Sequence, residues 1–145
     1  MISVHIIVDG AARAAEWYTT VLGAEERSRI TLPDGRLIDL QLSFGSSRMV
    51  LADEFPEHGA VSPSTTRCSS AVFYVETDDL DGLWSRALAH GAEVLRPIQD
   101  WFTGERDGQI VDPFGHRWGL SQHVRDVPRE TVSRAAAEAF GSAAR

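Results

Sequence analysis

One cysteine, Cys68, stands among 145 residues. A single thiol cannot close an internal disulfide and cannot furnish a cysteine-rich metal site. No apolar run approaches the roughly 18 residues that cross a bilayer. Nor does a charged-then-apolar N-terminus mark a secretory leader. No membrane partner is therefore expected, and the cytoplasm is the expected compartment. Positive charge is also short. Lys and Arg total 14 against 21 Asp and Glu, a formal net charge of −7. A surface of that sign attracts neither nucleic acid nor an anionic membrane. What is present is ordinary for a globular chain, with 43% hydrophobic and 24% charged residues. The length fits one domain, or two small half-domains sharing a core.

Periodicity supplies the elements. The sequence predicts a β-branched strand over 3–8, broken by Asp9-Gly10, and an Ala-rich helix over 11–22 that stops at Gly23. Strands follow over 27–32, 37–44 and 48–52, the first two joined by the Pro33-Asp34-Gly35 turn. In the third strand Ile38, Leu40, Leu42 and Phe44 share one face, while Leu37, Asp39, Gln41 and Ser43 share the other. The stretch 54–67 mixes Pro, Gly, Ser and Thr and reads as a connection. The pattern then returns: a strand over 70–75, a helix over 78–90 stopped by Gly91, strand material over 94–100 and 109–111, and a strand from His116. Val8 to Trp17 and Val75 to Trp84 have the same spacing, and Gly23-Ala24-Glu25 recurs as Gly91-Ala92-Glu93, a period near 67. The chain is thus a βαβββ unit twice over, an internal duplication. A further helix is expected over 131–140, with Pro128 at its first turn.

Asp112-Pro113-Phe114-Gly115-His116-Arg117-Trp118 reads as a tight turn followed at once by a strand. Pro fixes φ, Asp bonds backbone two residues on, and Gly tolerates positive φ. Beyond the turn, His116, Trp118 and Leu120 alternate with Arg117, Gly119 and Ser121. One face is apolar, and the small residues of the other leave room beside the sheet. His116 and His123 read as turn and surface residues, and Trp17, Trp84 and Trp118 as packing.

The duplicated pattern, the Trp17-Tyr18…Gly23-Ala24-Glu25 helix end, Leu51-Ala52-Asp53-Glu54-Phe55, Gly104-Glu105-Arg106 and Asp112-Pro113-Phe114-Gly115-His116 together resemble the vicinal oxygen chelate superfamily. That superfamily groups glyoxalase I, bleomycin-resistance proteins and extradiol dioxygenases, and the chain is most similar to its PhnB-like, glyoxalase-like branch of bacteria. The resemblance covers roughly residues 1–125. It implies an α+β fold in which two tandem βαβββ modules form a curved, mostly antiparallel sheet with a concave cavity, helices outside. A homodimer is common in such families. The expected modules are 1–55 and 69–124, joined by a linker over 56–68 and followed by the C-terminal helix within 125–145, all in one compact domain.

Metal-using members of the resembled superfamily place a ligand on the first and last strand of each module. Counting from the motifs puts those positions at Ser3, Leu51, Ser70 and Gly119, and a slip of two on the first strand would substitute His5. A divalent metal needs several N or O ligands converging on it. These positions do not supply them, so no metal and no other cofactor is expected.

What remains on the inferred concave face is Ser3, His5 and Ile7, Met49, Leu51 and Asp53, Ser70, Val72 and Tyr74, and Arg117, Gly119 and Ser121, with Asp39 and Gln41 from the third strand. Trp101, Phe102 and Arg106 fall on the segment that edges the cavity in the resembled family. The candidate ligand contacts are Gln41, Met49, Leu51, Tyr74, Trp101, Phe102, Arg106 and Arg117. His5 is the candidate acid–base group, with Asp39 or Gln41 to orient it. Arg117 has a structural alternative, pairing with Asp39 or Asp53, and Glu105-Arg106 has one as a hairpin ion pair. The reading of function is a metal-independent binding protein that sequesters an aromatic or anionic metabolite or antibiotic. The alternative is a metal-independent lyase, isomerase or cyclase using His5, with Arg106 or Arg117 stabilising an oxyanion. A third is a regulatory domain whose cavity its own side chains fill. The four positions speak against a metal-dependent glyoxalase or dioxygenase.

Overall fold

The computed structural model describes residues 1–141. Their elements run β1 (Val4–Ile7), α1 (Ala11–Leu22), β2 (Glu25–Thr31), β3 (Leu37–Phe44), β4 (Ser47–Ala52), α2 (Pro63–Thr66), β5 (Val72–Glu76), α3 (Leu80–Ala89), β6 (Glu93–Asp100), β7 (Glu105–Val111), β8 (Arg117–His123) and α4 (Arg129–Gly141). The strands form two four-stranded sheets of matching order, β1-β4-β3-β2 and β5-β8-β7-β6. In each, the helical crossover makes the first strand parallel to the last, and the remaining neighbours are antiparallel hairpins. The fold is α+β, as expected, and the duplicated unit is visible twice. The connecting stretch carries more order than its composition announces. It holds a 3-10 turn at Pro56–His58 and the short α2. Glu54 anchors it by accepting from Ser62 N at 2.8 Å and Ser62 Oγ at 2.6 Å.

Helix α1 begins at Gly10, which offers no side-chain cap, so its first N–H must be satisfied from elsewhere. Asp53, just past β4, does this: Oδ1 accepts from Ala11 N and Oδ2 from Leu37 N, each at 2.7 Å. In the second module Gln122, near the end of β8, accepts from Leu80 N at 3.3 Å. These pairs align the two repeats at an offset of 69, since 122 − 53 and 80 − 11 both give that value. The Trp17–Trp84 match, at 67, is therefore not a structural equivalence. Counted from the helix starts, Trp17 is the seventh residue of α1 and Trp84 the fifth of α3. Trp17 is buried and donates to His90 O at 2.8 Å. Trp84 lies half-buried across Gly108 of β7, where a Cβ would meet the ring at 2.6 Å.

One core serves both modules. Leu40, Leu42 and Leu51 of the first sheet and Ile110, Trp118 and Leu120 of the second belong to the same buried cluster as Ala14, Tyr18 and Val21 of α1. The ring of Tyr18 sits 5.3 Å from that of Trp118. Asp112 is fastened here by four donors: Phe114 N (2.8 Å) and His116 N (3.0 Å) on Oδ1, Tyr18 Oη (2.6 Å) and Trp118 Nε1 (2.8 Å) on Oδ2. The Asp-Pro-Phe-Gly turn is thus a junction between modules as well as a hairpin. His116 corrects the surface reading. It is buried, its Nε2 lies 2.8 Å from Ile7 O, and it ties the second module's turn to β1.

Bulges alter two faces. Ile30 pairs with Asp39 but Thr31 with Leu37, so Ile38 is an extra residue in β3. The alternation slips there, leaving Leu37 4% exposed and Ile38 41% exposed, the reverse of the expected faces. In β6, Val94 pairs with Ile110 and Arg96 with Gln109, so Leu95 is the extra residue.

Candidate functional site

Helices α1 and α3 and the core occupy one face of the sheets; the opposite faces carry the polar side chains. Ladder pairing shows which residues share a row. In the first sheet His5 pairs with Val50, and Val50 with Gln41. In the second, Tyr74 pairs with Gly119, and Gly119 with Gln109. Directly paired residues project to the same side. His5, Gln41 and Asp39 therefore do share the open face, and so do Tyr74, Gly119 and Arg117. Met49 and Leu51 do not. They project from the other side of β4: Leu51 is fully buried in the core, and Met49, 7% exposed, packs at the core's edge where it lines the crevice between the sheets. A one-residue difference in strand phase moved them, because the sequence alone does not fix how β1 is aligned with β4.

His5, Asp39, Gln41 and Val50 line a cleft of about 570 Å³ with the N-terminal residues Met1 to Val4. Within it Gln41 Nε2 donates to Asp39 Oδ1 at 3.0 Å. His5 makes no side-chain hydrogen bond among the described residues, so Asp39 is engaged by the amide and not by the imidazole. On the second sheet, Tyr74 is 53% exposed, and its ring lies over Gly119; a Cβ at 119 would come within 2.4 Å of it. Gln109 links two neighbours, donating to Tyr74 Oη at 3.1 Å and accepting from Arg117 Nη2 at 3.3 Å. A wider crevice of about 860 Å³ runs between the sheets, lined by Val4, Arg48, Met49 and the β5 residues Val72 to Glu76.

Trp101 lies at the β6–β7 turn, beside the same face. Its Nε1 donates to Asp107 Oδ1 at 2.7 Å, the oxygen that also receives Arg96 Nη2 at 2.6 Å. The Arg96 guanidinium is 5.1 Å from the Trp101 ring centre. Phe102 stacks edge-on against Trp101 at 5.8 Å, and Phe140 of α4 against Phe102 at 6.4 Å. The C-terminal helix thus covers one side of this aromatic pair.

Three further placements differ from expectation. Arg106 projects toward α3 and pairs through both Nη atoms with Asp81, at 2.9 and 3.0 Å. Its partner is neither a ligand pocket nor Glu105. Glu105 instead meets His123 at 2.7 Å. Arg117 pairs with neither Asp39 nor Asp53, which is occupied with the α1 cap. Sequence reasoning passed over Gln109, Asp107 and Arg96. The recurrence of Gln41 as Gln109, six residues beyond Gly35 and five beyond Gly104, is a signal only after the register is known.

The ladders also test whether a family metal fits. Positions in register on the first and last strands are His5 and Val50, Tyr74 and Gly119, rather than Ser3, Leu51 and Ser70 with Gly119. One imidazole, a phenol, a valine and a glycine are not a divalent metal's donor set. Among the described residues no group of three or more His, Cys, Asp or Glu side chains converges.

Two repeated βαβββ modules around one core, each with an open polar sheet face, define a duplicated α+β architecture. The chain belongs to the Glyoxalase/Bleomycin resistance protein/Dioxygenase superfamily, whose family model matches residues 2–120. An uncharacterized protein of Mycobacterium bovis is 33% identical over 137 residues, covering 92% of this chain and 90% of that one. The crystal structure of protein PA1353 from Pseudomonas aeruginosa shares the fold with a TM-score of 0.71 at 19% identity, covering 86% of this chain and 98% of the other. The fosfomycin resistance protein FosX of Listeria monocytogenes, solved with Mn(II) and sulfate, does so with a TM-score of 0.66 at 14% identity, covering 93% and 96%. None of the helices described is long and apolar enough to cross a membrane.

Proposed function

We propose that this protein is a metal-independent small-molecule-binding protein of the glyoxalase/bleomycin-resistance type, holding an aromatic or anionic metabolite or antibiotic against its open sheet faces. One observation carries the reading. The rows His5–Val50–Gln41 and Tyr74–Gly119–Gln109 offer amides, an imidazole and aromatic surface, where a metal enzyme of this fold needs convergent charged ligands. Trp101, Phe102 and Arg117 extend the surface with flat apolar area and a cationic donor. The enzyme alternative loses ground because Asp39 is held by Gln41 and leaves His5 without an orienting carboxylate. A homodimer would enclose the ligand by laying one copy's open face over another's. The cytoplasm is a compartment in which the exposed Cys68 stays a free thiol.

Native mass spectrometry with metal analysis of the same sample tests this. The expected result is a metal-free dimer carrying a co-purified small molecule, with no thermal stabilisation by added Zn²⁺, Ni²⁺ or Mn²⁺. A ligand present at 100 times its Kd raises stability by about 2.7 kcal/mol, so a specific metal would be seen. Stoichiometric bound metal, or metal-dependent stabilisation abolished by chelator, overturns the reading.

A further inference from the structure

Beside the open face of the second sheet lies a separate cleft of about 600 Å³, where the linker residues Ser64, Arg67 and Ser69 approach Leu95, Val111 and Arg117. Among the described residues two guanidinium groups line it and no carboxylate does. In a chain of net charge −7 this is a local reversal of sign. The arginines are also unlike several of the others. Arg27, Arg29, Arg36, Arg96 and Arg106 each sit on a carboxylate. Arg67 and Arg117 have no ion pair among the described residues. Arg117 has one hydrogen bond, the 3.3 Å contact to Gln109, and its Nε is fully buried with no acceptor among those residues. A desolvated cationic group lacking an acceptor is costly, and a negative charge lodged beside the guanidinium offsets that cost.

The apolar wall has its own signal. Leu95 is the bulge residue of β6 and is 46% exposed. At the matching bulge of the first sheet stands Arg27, paired with Glu25. A bulge re-aims a side chain, and here it turns a leucine to the surface beside the two arginines.

We infer that this cleft is the anion-recognising end of the ligand site. It takes an organic anion: one carboxylate, sulfonate or phosphate group on a flat apolar body. The charged group sits between Arg67 and Arg117, and the body lies along Leu95 and Val111, from where the Gln109 bridge leads to Tyr74. The inference rests on the proposed function, because it assigns a chemical class to a ligand of that same open face.

Two fluorescent probes that share an aromatic body and differ in charge test it: anionic 8-anilinonaphthalene-1-sulfonate and its neutral relative N-phenyl-1-naphthylamine. The expected result is at least about tenfold tighter binding of the sulfonate, the worth of a charged hydrogen bond, weakening with salt. Arg117→Gln, and independently the exposed Arg67→Gln, should each remove about tenfold of the sulfonate affinity while changing that of the neutral probe less than twofold. Cys68 lines the same cleft, so bound sulfonate should slow its alkylation by iodoacetamide several-fold. Equal binding of both probes, unchanged in the variants, overturns the anion assignment and leaves the binding function standing. Binding of neither probe to folded protein overturns both. Sulfonate binding that leaves Cys68 alkylation and both variants unaffected places the anion elsewhere and overturns the cleft.

Discussion

Removing one hydroxyl should measure how strongly the two modules are coupled. Tyr18 is fully buried on α1, and its Oη donates to Asp112 Oδ2 at 2.6 Å across 94 residues of sequence. In Tyr18→Phe the ring still packs against Trp118 and Phe114, and only the donor is lost. Asp112 keeps three of its four donors, Trp118 Nε1 and two backbone N–H groups. A hydrogen bond to a charged group contributes about 1.5–3 kcal/mol. For a chain of this length each kcal/mol corresponds to roughly 2–4 °C in Tm, so the expected drop is about 3–12 °C. Differential scanning calorimetry reads it directly. Alkaline pH provides an independent reading. Burial, then the Asp112 charge, raises the Tyr18 phenol well above its ordinary 10.0. A group whose pKa is higher folded than unfolded holds its full stabilisation below the unfolded value and loses it as pH rises beyond. Wild-type stability should therefore fall above pH 10, and Tyr18→Phe should fall less. A Tm change within about 1 °C, together with an unchanged alkaline limb, would refute the role given to this hydrogen bond.

Other outcomes follow from particular contacts. Gly104 has φ +90, and a Cβ there would stand 2.0 Å from Arg125 O, so Gly104→Ala should cost at least about 1–3 kcal/mol in urea unfolding. Gly119→Ala pushes on the Tyr74 ring, which is half-exposed and free to swing, so stability should change by less than about 1 kcal/mol while probe binding changes. His123 is held between Glu105 at 2.7 Å and Asp126 at 2.8 Å, and those bonds, Glu105 first, raise its pKa above 6.5. Protonation therefore favours the clamp, which should be complete below pH 6.5 and released as pH climbs through the raised value. Amide exchange over 124–127 that quickens with pH beyond the intrinsic rate in wild type but not in His123→Gln would show it.

Much of the fold was legible because it is written locally. Helix α1 and strand β3 fall at the expected bounds, since Ala-rich helical spacing, Gly23 and the Pro33-Asp34-Gly35 turn are short-range signals. The site was legible only in part. His5, Gln41, Tyr74 and Arg117 came out on open faces, whereas Leu51 went to the core, Met49 to the core's edge beside the crevice, and Arg106 to Asp81. The equal spacing of Trp17 and Trp84 misaligned the repeats by two residues, a coincidence that the caps from Asp53 and Gln122 correct.

By itself the sequence determined the class of secondary structure, the duplication, the tight turn at Asp112 and the shortage of metal-ligating residues on the strands. These depend on residue types and on periods of 2 and 3.6, which operate over a few neighbours. Only the tertiary structure decided which strand positions share a row, because pairing partners lie tens of residues apart and a slip of one inverts a face. It also decided that Asp112 joins the modules, that bulges turn out Ile38 and Leu95, and that Arg117 has a buried donor and, among the described residues, no carboxylate partner. Charge and hydrogen-bond partners belong to space and not to spacing, and in this protein the candidate chemistry rests on them.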